Sequence, residues 1–150
     1  MLTVLIKRPV KLPGDKSILL KAAQVTLDTH GLSTEVDLSI VIGDDALLRK
    51  LNHQYRQVDA ATDVLSFPSD ELDPDTSNIN LGDVVISLPR AEQQAKAGGY
   101  PVIEELQLLV AHGVLHLLGY DHVNAVDKKK MQTIQDKVMQ NLGLNIAIKL

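Results

Sequence analysis

The stretch that decides how this chain folds is PVIEELQLLVAHGVLHLLGYDH, Pro101 to His122. Apolar residues occupy almost every side of it: Val102, Ile103, Leu106, Leu108, Leu109, Val110, Val114, Leu115, Leu117 and Leu118. Pro at the first helical position and Gly119 just past the end predict a helix over residues 101–118. A helix that is apolar all round must lie inside the molecule. Any polar side chain it carries inward therefore needs a partner. His112 and His116 stand four residues apart, so they project from one face of this helix. Gly119 permits a left-handed turn, after which the chain can swing back and bring His122 to the same point.

Outward from this helix, the chain reads as strands first and helices late. Leu2–Lys7 alternates as a strand, and a helix follows from Pro13 to His30, with Ile18, Leu19, Ala22 and Thr26 on one face. Val36, Leu38, Ile40 and Ile42 alternate in a second strand. Asp44 or Asp45 caps a helix through Tyr55, whose buried stripe is Leu47, Leu48, Leu51 and Tyr55. DVLSFP is a short third strand closed by Pro68, Ser69 to Asn80 is an exposed acidic loop, and LGDVVIS is a fourth strand. Helices over Leu88–Ala97 and Ala125–Leu142 flank the central one; the last carries Met131, Ile134, Val138 and Leu142 on one side. The expected fold is α+β: one domain over 1–150, with a small mixed four-stranded sheet, about five helices, and a metal site in a cleft at the end of the buried helix.

Composition narrows the chemistry. The chain has 150 residues, 45% hydrophobic and 23% charged, the profile of a globular domain. No apolar run is long enough to span a membrane. The N-terminal apolar run precedes its charges, the reverse of a signal peptide, so a cytoplasmic protein is expected. There is no cysteine, which excludes disulfides, thiol catalysis and thiolate metal sites. Net charge is −4, unlike a nucleic-acid binder overall. The charges are uneven, however. Met1 to Lys21 holds five basic residues and one acid, Asp59 to Asp83 seven acids and no base, and Asp127 to Leu150 five lysines and two acids. Each run is most simply a solvated face. Together, the two basic ends would form one electropositive surface if the fold joined them.

Three imidazoles with one open position make a tetrahedral zinc site of the catalytic kind, so one Zn2+ per chain is expected on His112, His116 and His122. His30 and His53 fit no such pattern and are read as structural or exposed. The spacing H-x-x-x-H-x-x-G-x-x-H is that of the metzincin peptidases, but those carry Glu directly after the first histidine. Here that position is Gly113, which costs roughly 1 kcal/mol relative to Ala inside a helix. Close approach of another backbone or of a substrate would explain it. Zinc alone can lower the pKa of a bound water to about 7. Phosphoryl chemistry then needs positive charge near the developing oxyanion more than it needs a Glu. Arg56 is the candidate: its guanidinium could grip a phosphate, or simply pair with Asp59 or Asp63. Asp121 could orient an imidazole as a hydrogen-bond acceptor, or be a turn residue. Glu105 shares the histidine face but reads as a first-turn carboxylate favoured by the helix dipole.

HGVLHLLGYDH, together with LNHQYRQVDAATDVLSFP, NLGDVVIS and a later Met-bearing helix, resembles the signature of the YbeY-type endoribonucleases, bacterial rRNA maturation factors. The resemblance runs from about Val36 to Leu142. It implies that His112, His116 and His122 hold zinc and that Arg56 is a functional residue, giving Arg56 and His112 as the catalytic pair. It also implies metal-dependent cleavage of single-stranded RNA in rRNA maturation and ribosome quality control, with the ribosome and its proteins as partners and no DNA or membrane. One departure stands out: Gln135 and Asp136 occupy the place where the pattern leads one to expect a Glu, and the departure is expected to barely touch the metal site. A metzincin-like peptidase and a non-catalytic ribosome-assembly factor with a structural metal are the competing readings.

Overall fold

In the computed structural model, residues 1–32, 34–69, 71–72 and 74–146 are described. Asp70 and Asp73 of the acidic loop and Lys149 of the basic end lie outside them. Four strands, β1 (Leu2–Ile6), β2 (Val36–Gly43), β3 (Val64–Pro68) and β4 (Ile79–Ser87), form a sheet in the order β1-β2-β4-β3. β1, β2 and β4 run parallel, and β3 pairs antiparallel with β4 at the edge. The helices are α1 (Lys16–His30), α2 (Asp45–Arg56), α3 (Leu88–Gly98), α4 (Val102–Leu117) and α5 (Ala125–Asn141). The expected α+β class and mixed four-stranded sheet are what the chain forms.

Local chemistry sets the boundaries. Asp15 accepts the Ser17 N–H, so α1 begins at Lys16 rather than at Pro13. Asp44, not Asp45, caps α2 by accepting the Leu47 N–H. The acidic loop is shorter than expected, because Ile79 and Asn80 pair with Val36 and Asp37 and start β4.

Strand alternation divides the core. Leu38, Ile40, Ile42, Val84 and Ile86 point to one side, where they pack with Leu19, Ala22, Ala23 and Leu27 of α1 and Leu106, Leu109, Val110 and Val114 of α4. Leu65 and Val85 point to the other side, under Leu48 of α2. The remaining flank of α4, Leu108 and Ala111, packs on Val138 and Met139 of α5. The all-round apolarity of α4 thus has a cause: sheet, α1 and α5 each cover part of it. Of the expected stripe residues, Ile18, Leu47, Leu51, Ile134 and Leu142 are only half-buried and Tyr55 is exposed. The inward place of Ile134 on α5 is taken by Gln135 and Met139. Tyr55 is 59% exposed, because the last turn of α2 overhangs the edge strand β3 and sets its ring edge-on against Phe67.

Candidate metal centre

α4 fixes two of the three histidines rigidly, since its neighbours at Leu115 and Leu117 are buried. The helix then ends as the sequence suggests. Gly119 adopts φ +100°, the Gly119 N–H donates to the His116 carbonyl, and the Tyr120 N–H reaches back to Leu115. This turn returns His122 to the helix end. Ligand atoms of His112, His116 and His122 all lie within 4.8 Å of one another. His112 Nε2 and His116 Nε2 are 3.1 Å apart, close to the ~3.3 Å that two nitrogens on one tetrahedral zinc would show.

The two helical imidazoles are held neutral. Burial pushes the pKa of His112 down, against the opposing effect of the hydrogen bond it donates to Gln135. Burial first, and then the neighbouring His112 and His122, lower His116 to about 4. Neutral rings keep their lone pairs for a cation. His112 is also fixed in tautomer: Gln135 Oε1 lies 2.8 Å from His112 Nδ1. For Nε2 to face its partner histidines with a lone pair, the proton must sit on Nδ1 and the Gln135 oxygen must accept it. Gln135 is 1% exposed, and among the described residues its Nε2 has no hydrogen-bond partner. The expectation that the Gln135 departure barely touches the site is therefore corrected. From sequence, its place four residues after the buried Met131 was the available signal.

Asp121 sits differently from the imidazole-orienting role. Its carboxylate accepts the Val123 N–H, as a turn residue does, although its charge favours protonation of His116. Glu105 stands in the first turn of α4, as expected, but inside the protein. It is 1% exposed, accepts the hydroxyl proton of Tyr100, and has its pKa raised chiefly by burial. His30 pairs its Nδ1 with the Tyr120 hydroxyl, and His53 is exposed near Asp59.

The three histidines open onto a cleft of about 540 Å3, walled by Tyr55, Arg56, Asp63, Ser66 and Phe67. Arg56 is exposed in the last turn of α2 and faces this cleft. Neither expected ion-pair partner holds it. Asp59 is bound by Arg49 at 2.6 Å, and Asp63 accepts from the Val64 N–H and from Gln94 Nε2. Among the described residues Arg56 has no carboxylate partner.

Gly113 faces the sheet. A Cβ there would lie 2.4 Å from Val84 Cγ1, and Ser66 Oγ donates to the Gly113 carbonyl at 2.9 Å. The close approach that its place in the helix suggests is thus an approach to β4, with no room for a longer side chain.

The model of the endoribonuclease YbeY family matches residues 7–143. The chain belongs to the YbeY family. The endoribonuclease YbeY of Pelotomaculum thermopropionicum is 45% identical, over 85% of this chain and 86% of that protein. The YbeY of Dehalococcoides mccartyi strain BAV1 is 39% identical over 94% and 96%. The fold also resembles the solution structure of TM1509 from Thermotoga maritima, with a TM-score of 0.63 and 25% identity over 95% of this chain and 89% of that one. The three-histidine cluster, able to hold a metal, thus sits in a YbeY chain.

Proposed function

We propose that this YbeY chain is a zinc-dependent, single-strand-specific endoribonuclease that acts in maturation of the 16S rRNA 3′ end and in ribosome quality control. One observation carries the reading: three converging imidazole nitrogens share a cleft with an arginine that has no carboxylate partner among the described residues. The donor set fits zinc, being three neutral nitrogens without thiolate or carboxylate. Bound there, zinc would supply a Lewis acid for a phosphoryl oxygen and make water more acidic. The protein's own groups do the rest. Gln135 holds His112 in the tautomer whose Nε2 points inward. Arg56 grips the non-bridging oxygens of the phosphodiester and stabilises charge as it develops there. The rings of Tyr55 and Phe67 beside the cleft offer surface on which unpaired bases stack, which suits a single strand.

Action on rRNA rests on the family resemblance. It implies a cytoplasmic protein that meets the ribosome and its proteins, with no DNA substrate. No helix among the described residues is long and apolar enough to cross a membrane. Gly113 weighs against the peptidase reading, because Val84 occupies the space its general base would need.

The test is cleavage of single-stranded RNA by metal-analysed protein, with and without chelator, beside His116→Ala and Arg56→Ala. His116→Ala should lose both zinc and activity. Arg56→Ala should keep zinc and lose about 10²–10³ in rate. Undiminished cleavage in both variants would mark a contaminating nuclease and sink the mechanism.

A further inference from the structure

α5 presents a second concavity that the cleft chemistry does not use. Its floor is apolar, with Val126 65% exposed and Ile134 half-buried, and Tyr120 forms one wall. Exposed Lys129, Lys130 and Lys137 stand on its rim, and among the described residues no carboxylate lines it. None of the three lysines is in an ion pair among the described residues. The acids of α5 are engaged elsewhere: Asp127 accepts from Asn124 Nδ2, and Asp136 accepts from Gln132 Nε2. Among the described residues, the basic side chains of the groove all come from α5.

Three features choose the occupant. The groove measures about 740 Å3, within the roughly 300–1,000 Å3 that holds a group of small-molecule size. Ala125, Val126, Ile134 and the Tyr120 ring are the apolar residues that line it, a short surface for the i, i+3, i+4 and i+7 anchors of a docking helix. The charges on its rim, among the described residues, are all cationic, which matches phosphates. The position adds a fourth argument. Tyr120, braced by the His30 contact at 3.0 Å, stands two residues from His122, so groove and cleft are separated by at most about 7 Å of chain.

We infer that this groove seats an unpaired base of the substrate strand next to the scissile phosphate, with the lysines on the flanking phosphates. The inference rests on the endoribonuclease reading and adds to it a site that selects unpaired RNA and sets where along the strand the cleft acts. Stacked or paired bases cannot enter such a groove; a splayed base can.

The experiment measures binding of zinc-loaded protein to fluorescein-labelled 2′-O-methyl octauridine and to an abasic strand of equal length, over a salt series. A gel confirms that the strands stay intact. Wild type should bind octauridine about tenfold more tightly than the abasic strand. Val126→Glu, at an exposed floor position, should erase that preference. Lys129→Ala/Lys130→Ala/Lys137→Ala should keep the base preference and lower the slope of log K against log salt by about 2. Zinc content and melting temperature, measured for every variant, confirm that the fold is intact. Equal binding of the two strands by wild type, or an unchanged preference in Val126→Glu, overturns the groove assignment. A Glu-rich amphipathic peptide that binds the groove without displacing octauridine also overturns it, in favour of protein docking. Cleavage of unmodified RNA, run in parallel, separates the two claims. If wild type cleaves and the groove variants bind as wild type does, the groove is wrong and the nuclease reading stands. If wild type neither cleaves nor binds, both fall.

Discussion

At Gly113, the space a Cβ would need is already filled by Val84, a side chain with no exposure and a branched, stiff Cβ of its own. Gly113→Ala gains helix propensity of roughly 1 kcal/mol but must push α4 off β4, an overpacking cost of about 1–3 kcal/mol. Net destabilisation is expected, read as a lower urea midpoint at unchanged m-value. A midpoint equal to or above that of wild type would show that the helix can shift freely. Gln135 is the second decisive residue. Gln135→Leu removes the acceptor that fixes His112, so zinc affinity should fall about 10–100-fold in competition with a chromophoric chelator. Gln135→Glu should tighten zinc instead, since a carboxylate makes the imidazole a stronger donor. It should also destabilise the metal-free protein, because the charge would be buried without a cation. If both substitutions leave zinc affinity unchanged, the hydrogen bond does not tune the site.

Element by element, legibility followed burial. α4 was readable in outline because its apolar run and Gly119 are local signals, and so was the convergence of His112, His116 and His122. The strands were readable because β2 alternates so regularly, with Leu38 at 2% and Ile40 and Ile42 at 0% exposure. What could not be read depends on elements distant in sequence. Gln135 meets His112 across 23 residues, and Gly113 meets Val84 only because α4 lies on β4. Tyr55 followed the periodicity of α2, but periodicity does not reveal where the sheet ends. The helix-borne histidines also predict a pH response. Their pKa values are lowered, His116 to about 4, so the unfolded chain binds protons that the folded chain refuses. The contribution of His116 is fully present above about 6.5 and is lost as pH falls through about 4, and His112 acts in the same direction. Metal-free protein should therefore lose stability from pH 7 towards pH 4, and His116→Ala should lose less over that interval than wild type. The comparison is made by urea unfolding in chelator, where parallel pH profiles would show that His116 is not buried against its neighbours.

For the molecule as a whole, the question is whether the metal builds the fold or uses it. Small zinc domains unfold without metal because they have no other core. This chain has one. Leu106, Leu108, Leu109, Val110, Val114 and Leu115 of α4 are each at most 1% exposed, and every such side chain contributes about 1.5–3 kcal/mol by burial. His112 and His116 lie in the C-terminal half of that helix and His122 just past it, beside the cleft, while the core clusters are built from apolar side chains of the sheet and helices. Removing the metal should therefore subtract only the binding term. At free zinc 100-fold above its dissociation constant that term is about 2.7 kcal/mol. For a domain of this size it corresponds to a melting shift of roughly 5–11 °C. Chelator-treated protein should keep its far-UV helical signal and still melt cooperatively, at a temperature lower by that amount. Loss of helix at 25 °C on chelation would mean that the metal braces the fold, and the non-catalytic reading would gain what the nuclease reading lost. A shift within this range, with RNA cleavage abolished, would show that the site takes a preformed cleft from the core and adds the metal for chemistry alone.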